Sequence, residues 1–174
     1  HVFDLKETDE TRKVFDNMGS KAKPAKGVDF EEIQIGNIAA EKYSRNSKEP
    51  ISRVILYLHG GGYLFGSYVS HRALVSKYCK KLKCNAYSIN YILAPEHPYP
   101  AGLDDAIFVY KWLLKEQSIL PENILLMGDS AGGGLALALL VRIKKQNLPL
   151  PKAAITISPW TDLTLTSDSF KNKR

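Results

Sequence analysis

The sequence predicts an α/β fold, a mostly parallel, doubly wound sheet covered by helices, and three observations carry that prediction. From Arg53 the texture changes to VILYLHG, a near-continuous apolar run of β-branched and aromatic residues, as a strand buried on both faces requires. Downstream of it, strand-like and helix-like segments alternate through four βα-type units, the pattern of parallel strands joined by crossover helices. Composition agrees: 44% of the 174 residues are hydrophobic and 24% charged, which is globular usage at a length suiting about one domain.

Residues 6–18 are charged with a sparse apolar pattern and run into Gly19 and a Lys/Pro/Gly stretch ending at Gly27. They predict a surface helix and a linker, so residues 1–27 are expected to form an N-terminal arm or partial cap and 28–174 the body of the domain. Val28, Phe30, Ile33 and Ile35 mark a strand ending at Gly36, with residues 38–43 as its hairpin partner on an antiparallel edge. The buried strand 54–58 follows. Ser70 is then expected to cap a helix whose stripe of Leu74, Val75, Tyr78, Cys79 and Leu82 lies opposite Lys77, Lys80, Lys81 and Lys83. The remaining pattern gives strands at 85–91, 123–127 and 153–158, and helices at 101–116 and 131–145.

Several function classes fall away. Basic residues exceed acidic ones by 24 to 18, but they are scattered, and the densest run, 77–83, has the spacing of a solvated helix face, so no nucleic-acid partner is expected. The longest apolar stretch, 135–141, is far short of the ~18 residues that cross a bilayer. Cys79 and Cys84 stand five apart, which matches neither a redox pair nor a metal-ligand spacing; they read as free thiols. With no signal-peptide pattern and no Asn-x-Ser/Thr site, a cytoplasmic location is expected. No metal and no organic cofactor is implied.

Two motifs carry chemistry. Gly128-Asp129-Ser130-Ala131-Gly132 fits G-x-S-x-G and lies between a short apolar strand and a helix, where a serine is forced into a tight turn and points out of the sheet edge. Gly128 and Gly132 remove the Cβ atoms that would collide as the helix folds back, and the helix start favours negative charge near Ser130. Asp129 is expected to shape the site as a hydrogen-bond acceptor. The second motif, His59-Gly60-Gly61-Gly62, ends the buried strand at the edge where ligand-facing loops of a parallel sheet emerge. Three glycines let backbone N–H groups turn towards a substrate, and Gly60, Gly61 and Ala131 are the expected oxyanion donors. Neither glycine cluster is followed by Lys-Ser/Thr, which disfavours a phosphate loop.

With YILAPEHPYP at 91–100, Asp104 and Asp105, GDSAGG at 128–133 and SPWTDL at 158–163 in this order, the sequence from about Val54 onward resembles the hormone-sensitive-lipase family of α/β-hydrolase esterases. The resemblance implies a carboxylic ester hydrolase that forms an acyl-enzyme on Ser130 and takes a small-molecule ester of short to medium acyl chain. It further implies that His59 and the APEHPYP loop shape the site without acid/base chemistry, and that the chain covers about the first six strands of an eight-strand fold. Tyr63, Phe65 and Trp160 are candidate wall residues.

One departure from the family pattern matters. A serine of this kind needs a histidine, which in this fold follows the serine along the chain. The four histidines, His1, His59, His71 and His97, all precede Ser130, and the sequence ends at Lys171-Asn172-Lys173-Arg174. His71 reads as a surface residue and His97 as structural, as do Glu96 and Asp162. The catalytic histidine and acid are therefore expected to be missing from this chain, and the 174 residues alone to be nearly inactive and to associate with the remainder of their own chain or with a second copy. The alternative is a non-catalytic ligand-binding receptor on the same scaffold, as in the plant gibberellin receptors, which resemble this family and keep the serine without the histidine.

Overall fold

The computed structural model describes residues 5–48, 50–164 and 166, with side chains from Thr8 onward. Helix α1 (Leu5–Ser20) precedes the hairpin β1 (Val28–Ile35) and β2 (Ile38–Arg45). There follow β3 (Val54–Leu58), α2 (Tyr68–Leu82), β4 (Asn85–Ile89), α3 (Ala101–Lys115), β5 (Ile124–Asp129), α4 (Ser130–Lys145) and β6 (Ala153–Ile157). They form one six-stranded sheet in the order β1-β2-β4-β3-β5-β6. The hairpin is antiparallel and joins β4 antiparallel, whereas β4, β3, β5 and β6 run parallel.

The apolar run read from the sequence is the centre of this sheet. All five residues of β3 are buried. Successive side chains of a strand point to opposite faces, so Leu56 and Leu58 join the core under α3 and α4, and Ile55 and Tyr57 the core under α2. On the α2 side, fully buried Glu41 of β2 pairs with Arg72 at 2.6 Å and accepts from the Tyr43 hydroxyl, tying the hairpin to the helix.

Helix α2 begins earlier than its sequence suggests. Ser67, not Ser70, is the cap: its hydroxyl oxygen accepts from the Val69 and Ser70 N–H groups, and the Ser70 hydroxyl accepts in return from the Ser67 N–H at 2.8 Å. This is a capping box with serine at both ends, and of its two serines the first sets the helix start. At the far edge, β6 alternates between exposed and half-buried residues, with Ile155 39% and Ile157 36% exposed. Among the described residues no helix is long and apolar enough to cross a membrane.

Candidate active site

Strands β3 and β5 are parallel neighbours in a register that sets Leu58 beside Gly128. Their following turns, residues 59–62 and 128–132, therefore emerge side by side at one edge of the sheet. No loop separates β5 from α4. Asp129 ends the strand and Ser130 begins the helix, with a φ of 51° at Ser130 and its side chain exposed. A non-glycine residue in this left-handed region stores roughly 1–3 kcal/mol and persists only where its surroundings enforce it. The enforcement is visible at Gly132, where a Cβ would strike the backbone of Leu58 and His59. Helix α4 thus starts directly against the end of β3.

The Asp129 carboxylate organises both turns. Its Oδ1 accepts the Tyr57 hydroxyl at 2.8 Å and the Gly60 N–H at 3.0 Å, and faces His71 Nε2 at 3.5 Å. Burial raises its pKa, but the contacts with His71, Tyr57 and Gly60 outweigh that, and the carboxyl lies below its ordinary value. An N–H held by a carboxylate is not free for a substrate oxygen, so Gly60 leaves the set of expected oxyanion donors.

Gly61, already among the expected donors, and Gly62 differ from Gly60 for a geometric reason. The Gly60 carbonyl lies 2.9 Å from His59 Nδ1, and the Gly61 carbonyl accepts from the Leu64 and Phe65 N–H groups, both at 3.0 Å. In a trans peptide the N–H points opposite to the preceding carbonyl, so these bonds turn the Gly61 and Gly62 N–H groups away from the loop interior. Neither has a hydrogen-bond partner among the described residues. Gly61 and Gly62 have φ values of 125° and 62°, a backbone path that glycine follows without strain. The Ala131 N–H, in the first turn of α4, likewise has no intrahelical acceptor.

The histidines separate clearly. His59 is fully buried, stacked on Tyr91 at 4.3 Å, and burial pushes its pKa down to about 4, so the ring is neutral at physiological pH. His71 is not a surface residue: its side chain is 11% exposed and reaches Asp129. His97 lies exposed on the rim of a largely apolar cavity of about 660 Å³, bordered also by Gly62, Tyr63, Leu135, Val141 and Trp160. No described histidine is hydrogen-bonded to the Ser130 hydroxyl. His1 and residues 171–174 lie outside the described residues. Asp162 closes a local turn by accepting from the Thr164 N–H and hydroxyl. Among the described residues no cluster of three or more His, Cys, Asp or Glu could hold a metal.

A family model for the alpha/beta hydrolase fold matches residues 55–174, which include both turns. The chain belongs to the α/β-hydrolase family. Within it, this α/β-hydrolase falls with the hormone-sensitive-lipase group. It is 38% identical over 144 residues to an esterase of Acinetobacter venetianus, an alignment covering 83% of this chain and 46% of that protein. A solved esterase from the bacterial hormone-sensitive lipase family superposes with a TM-score of 0.86 at 36% identity, over 93% of this chain and 54% of the other. An esterase/lipase from an uncultured bacterium gives 0.87 at 42% identity, over 94% and 55%. The chain therefore spans about half the length of the relatives it matches.

Two contributors to this α/β-hydrolase site, His71 and Tyr57, are not evident from its sequence. His71 escaped because the helix start was placed at Ser70, and the signal that corrects it is the serine pair of the capping box. Tyr57 was read only as part of an apolar strand. Trp160, a candidate wall residue, does border the cavity; its backbone N–H donates to the Ser130 carbonyl at 2.8 Å and its ring lies 6.1 Å from that of Tyr63, which links the segment after β6 to the serine turn.

Proposed function

We propose that this α/β-hydrolase is a carboxylic ester hydrolase in which Ser130 is the nucleophile and the N–H groups of Gly61, Gly62 and Ala131 form the oxyanion hole. Ser130 Oγ adds to the ester carbonyl, the oxygen becomes an anion facing the three N–H groups, and collapse expels the alcohol and leaves an acyl-serine that water cleaves to the acid. The observation that carries the reading is the exposed Ser130 held at φ 51° in a turn next to one with two adjacent glycine N–H groups that have no partner among the described residues. Losing one such donor typically costs about 2.7–4 kcal/mol of barrier.

The Ser130 proton needs a base. None of the described histidines bonds to the hydroxyl, so the base and the acid that orients it are assigned to residues outside those described. The relatives named esterases support the reaction class. Small-molecule esters of short to medium acyl chain are the proposed substrates, no cofactor takes part, and α1 with the linker to Gly27 serves as part of a cap. A cytoplasmic location is proposed for the protein, whose buried Cys79 and Cys84 are free thiols in contact with each other.

Hydrolysis of p-nitrophenyl acetate and butyrate by the full-length protein, rather than by the 174 residues alone, tests the reading. Turnover preceded by a burst, and its loss in Ser130→Ala, is the expected result; Ser130→Ala retaining the turnover overturns it. The second reading is a receptor that binds its ligand without turnover. Saturable ligand binding with no product formed selects that one.

A further inference from the structure

Arg12 on α1 uses every donor it has. A guanidinium carries five N–H groups in a fixed fork. In this chain Nε donates to the Leu64 carbonyl at 2.7 Å. Nη1 donates to Asp9 at 3.2 Å and to Glu96 Oε1 at 2.7 Å, and Nη2 to the Ala94 carbonyl at 2.9 Å and Glu96 Oε2 at 2.8 Å. One side chain thus joins the arm to two loops 52 and 82 residues away. The paired oxygens of Glu96 sit against the guanidinium, whose hydrogen bonds hold that carboxyl down at about 2.

The two carbonyls are not arbitrary points on the surface. Leu64 and Ala94 both border the cavity beside the serine turn. The Leu64 N–H donates to the Gly61 carbonyl, and the Ala94 N–H to the Tyr63 carbonyl at 2.9 Å. A path of hydrogen bonds therefore runs from Arg12 through Leu64 to the peptide between Gly61 and Gly62, whose N–H is one of the oxyanion donors proposed above. We propose that Arg12 is a positioning residue for the oxyanion loop: by holding the Leu64 and Ala94 carbonyls it fixes the direction of the Gly62 N–H, and the arm thereby acts on the site without touching substrate.

The proposal rests on the esterase reading for its kinetic consequence but not for its structural one, and the test keeps them apart. Amide hydrogen exchange of the full chain is followed at Leu64 and Phe65, whose N–H groups bind the Gly61 carbonyl, in wild type, Arg12→Ala and Arg12→Lys. Lysine keeps the charge opposite Glu96 but has no fork to reach both carbonyls, so it guards against a folding failure of the alanine variant. Both variants are expected to raise exchange at Leu64 and Phe65 by about tenfold. Turnover of p-nitrophenyl butyrate is expected to fall by about tenfold in kcat with little change in KM, because a donor aimed at the transition state is displaced.

Asp16→Asn is the control, since it weakens a different polar tether of α1, the 2.5 Å bond from the Ser67 hydroxyl, and leaves the Leu64 carbonyl bond in place. It is expected to raise exchange within α1 and to leave Leu64 and Phe65 near wild type. Wild-type exchange at Leu64 and Phe65 in Arg12→Lys, or an equal rise there in Asp16→Asn, overturns the proposal. Should the wild type show no turnover, the esterase reading fails while the exchange data still decide whether Arg12 orders the loop.

Discussion

Strands β3 and β6 flank β5 on either side and run parallel to it, yet they hold the serine turn in different ways. On the β3 side every residue is buried, the backbones of Gly132, Leu58 and His59 touch with no room for a side chain, and the Asp129 carboxylate binds Tyr57 and Gly60. On the β6 side the strand has one exposed and one half-buried face, and it reaches the serine turn through its ladder to β5, the bond from the Trp160 backbone N–H to the Ser130 carbonyl and the close approach of Pro159 and Trp160 to Gly133 and Gly134. The left-handed backbone at Ser130 is therefore held on the β3 side by buried backbone contact and a carboxylate, and on the β6 side by a half-open strand and the segment after it. Substitutions on the two sides should differ in cost by an order of magnitude.

The largest effect belongs to Gly132→Ala. The added methyl would lie about 2.6 Å from the His59 carbonyl carbon and closer still to the Leu58 carbonyl oxygen, and backbone atoms cannot step aside. A loss of at least ~3 kcal/mol in urea unfolding is expected, and a loss below ~1 kcal/mol would show that β3 does not lock the turn. Next comes a pH dependence from His59. Its folded value of about 4 lies below the ordinary 6.5. The unfolded chain therefore binds the extra proton first, and stability, complete above pH 6.5, declines as pH falls towards 4. The full effect is on the order of 3 kcal/mol. Unfolding midpoints collected across that window should show the slope in wild type and a flatter one in His59→Gln.

Tyr57→Phe should cost about 1.5–3 kcal/mol, because it takes a hydrogen bond from a partly buried carboxylate. It should also weaken the hold of Asp129 on the glycine loop, read as faster exchange of the Gly60 N–H. The smallest effect is expected for Ile157→Thr on β6. Its side chain is already 36% exposed, and a change within ~0.5 kcal/mol is predicted. A cost comparable to that of Gly132→Ala would erase the contrast between the two sides.

The order of strands and helices was legible because β3 is a near-continuous apolar run, because strand-like and helix-like segments alternate after it, and because the two glycine turns mark strand ends. Ser130 and its neighbours at Gly128, Asp129, Ala131 and Gly132 were legible because the chemistry of the turn is local. What was not legible depends on partners distant in sequence. Which glycine of residues 60–62 keeps its N–H free is decided by a carboxylate 69 residues away from Gly60. The position of His71 follows from the cap three residues before the expected one. Arg12 showed only as a charge on an exposed helix, since neither Leu64 nor Ala94 carries a side-chain signal that a guanidinium binds its carbonyl.

Labelling by an active-site-directed fluorophosphonate reports the nucleophilicity proposed for Ser130 without depending on the choice of ester. The full chain, treated with the reagent, digested and mapped by mass spectrometry, should carry one adduct on the peptide containing Ser130, and none in Ser130→Ala. No adduct at Ser130, or labelling that persists in Ser130→Ala, would contradict the account.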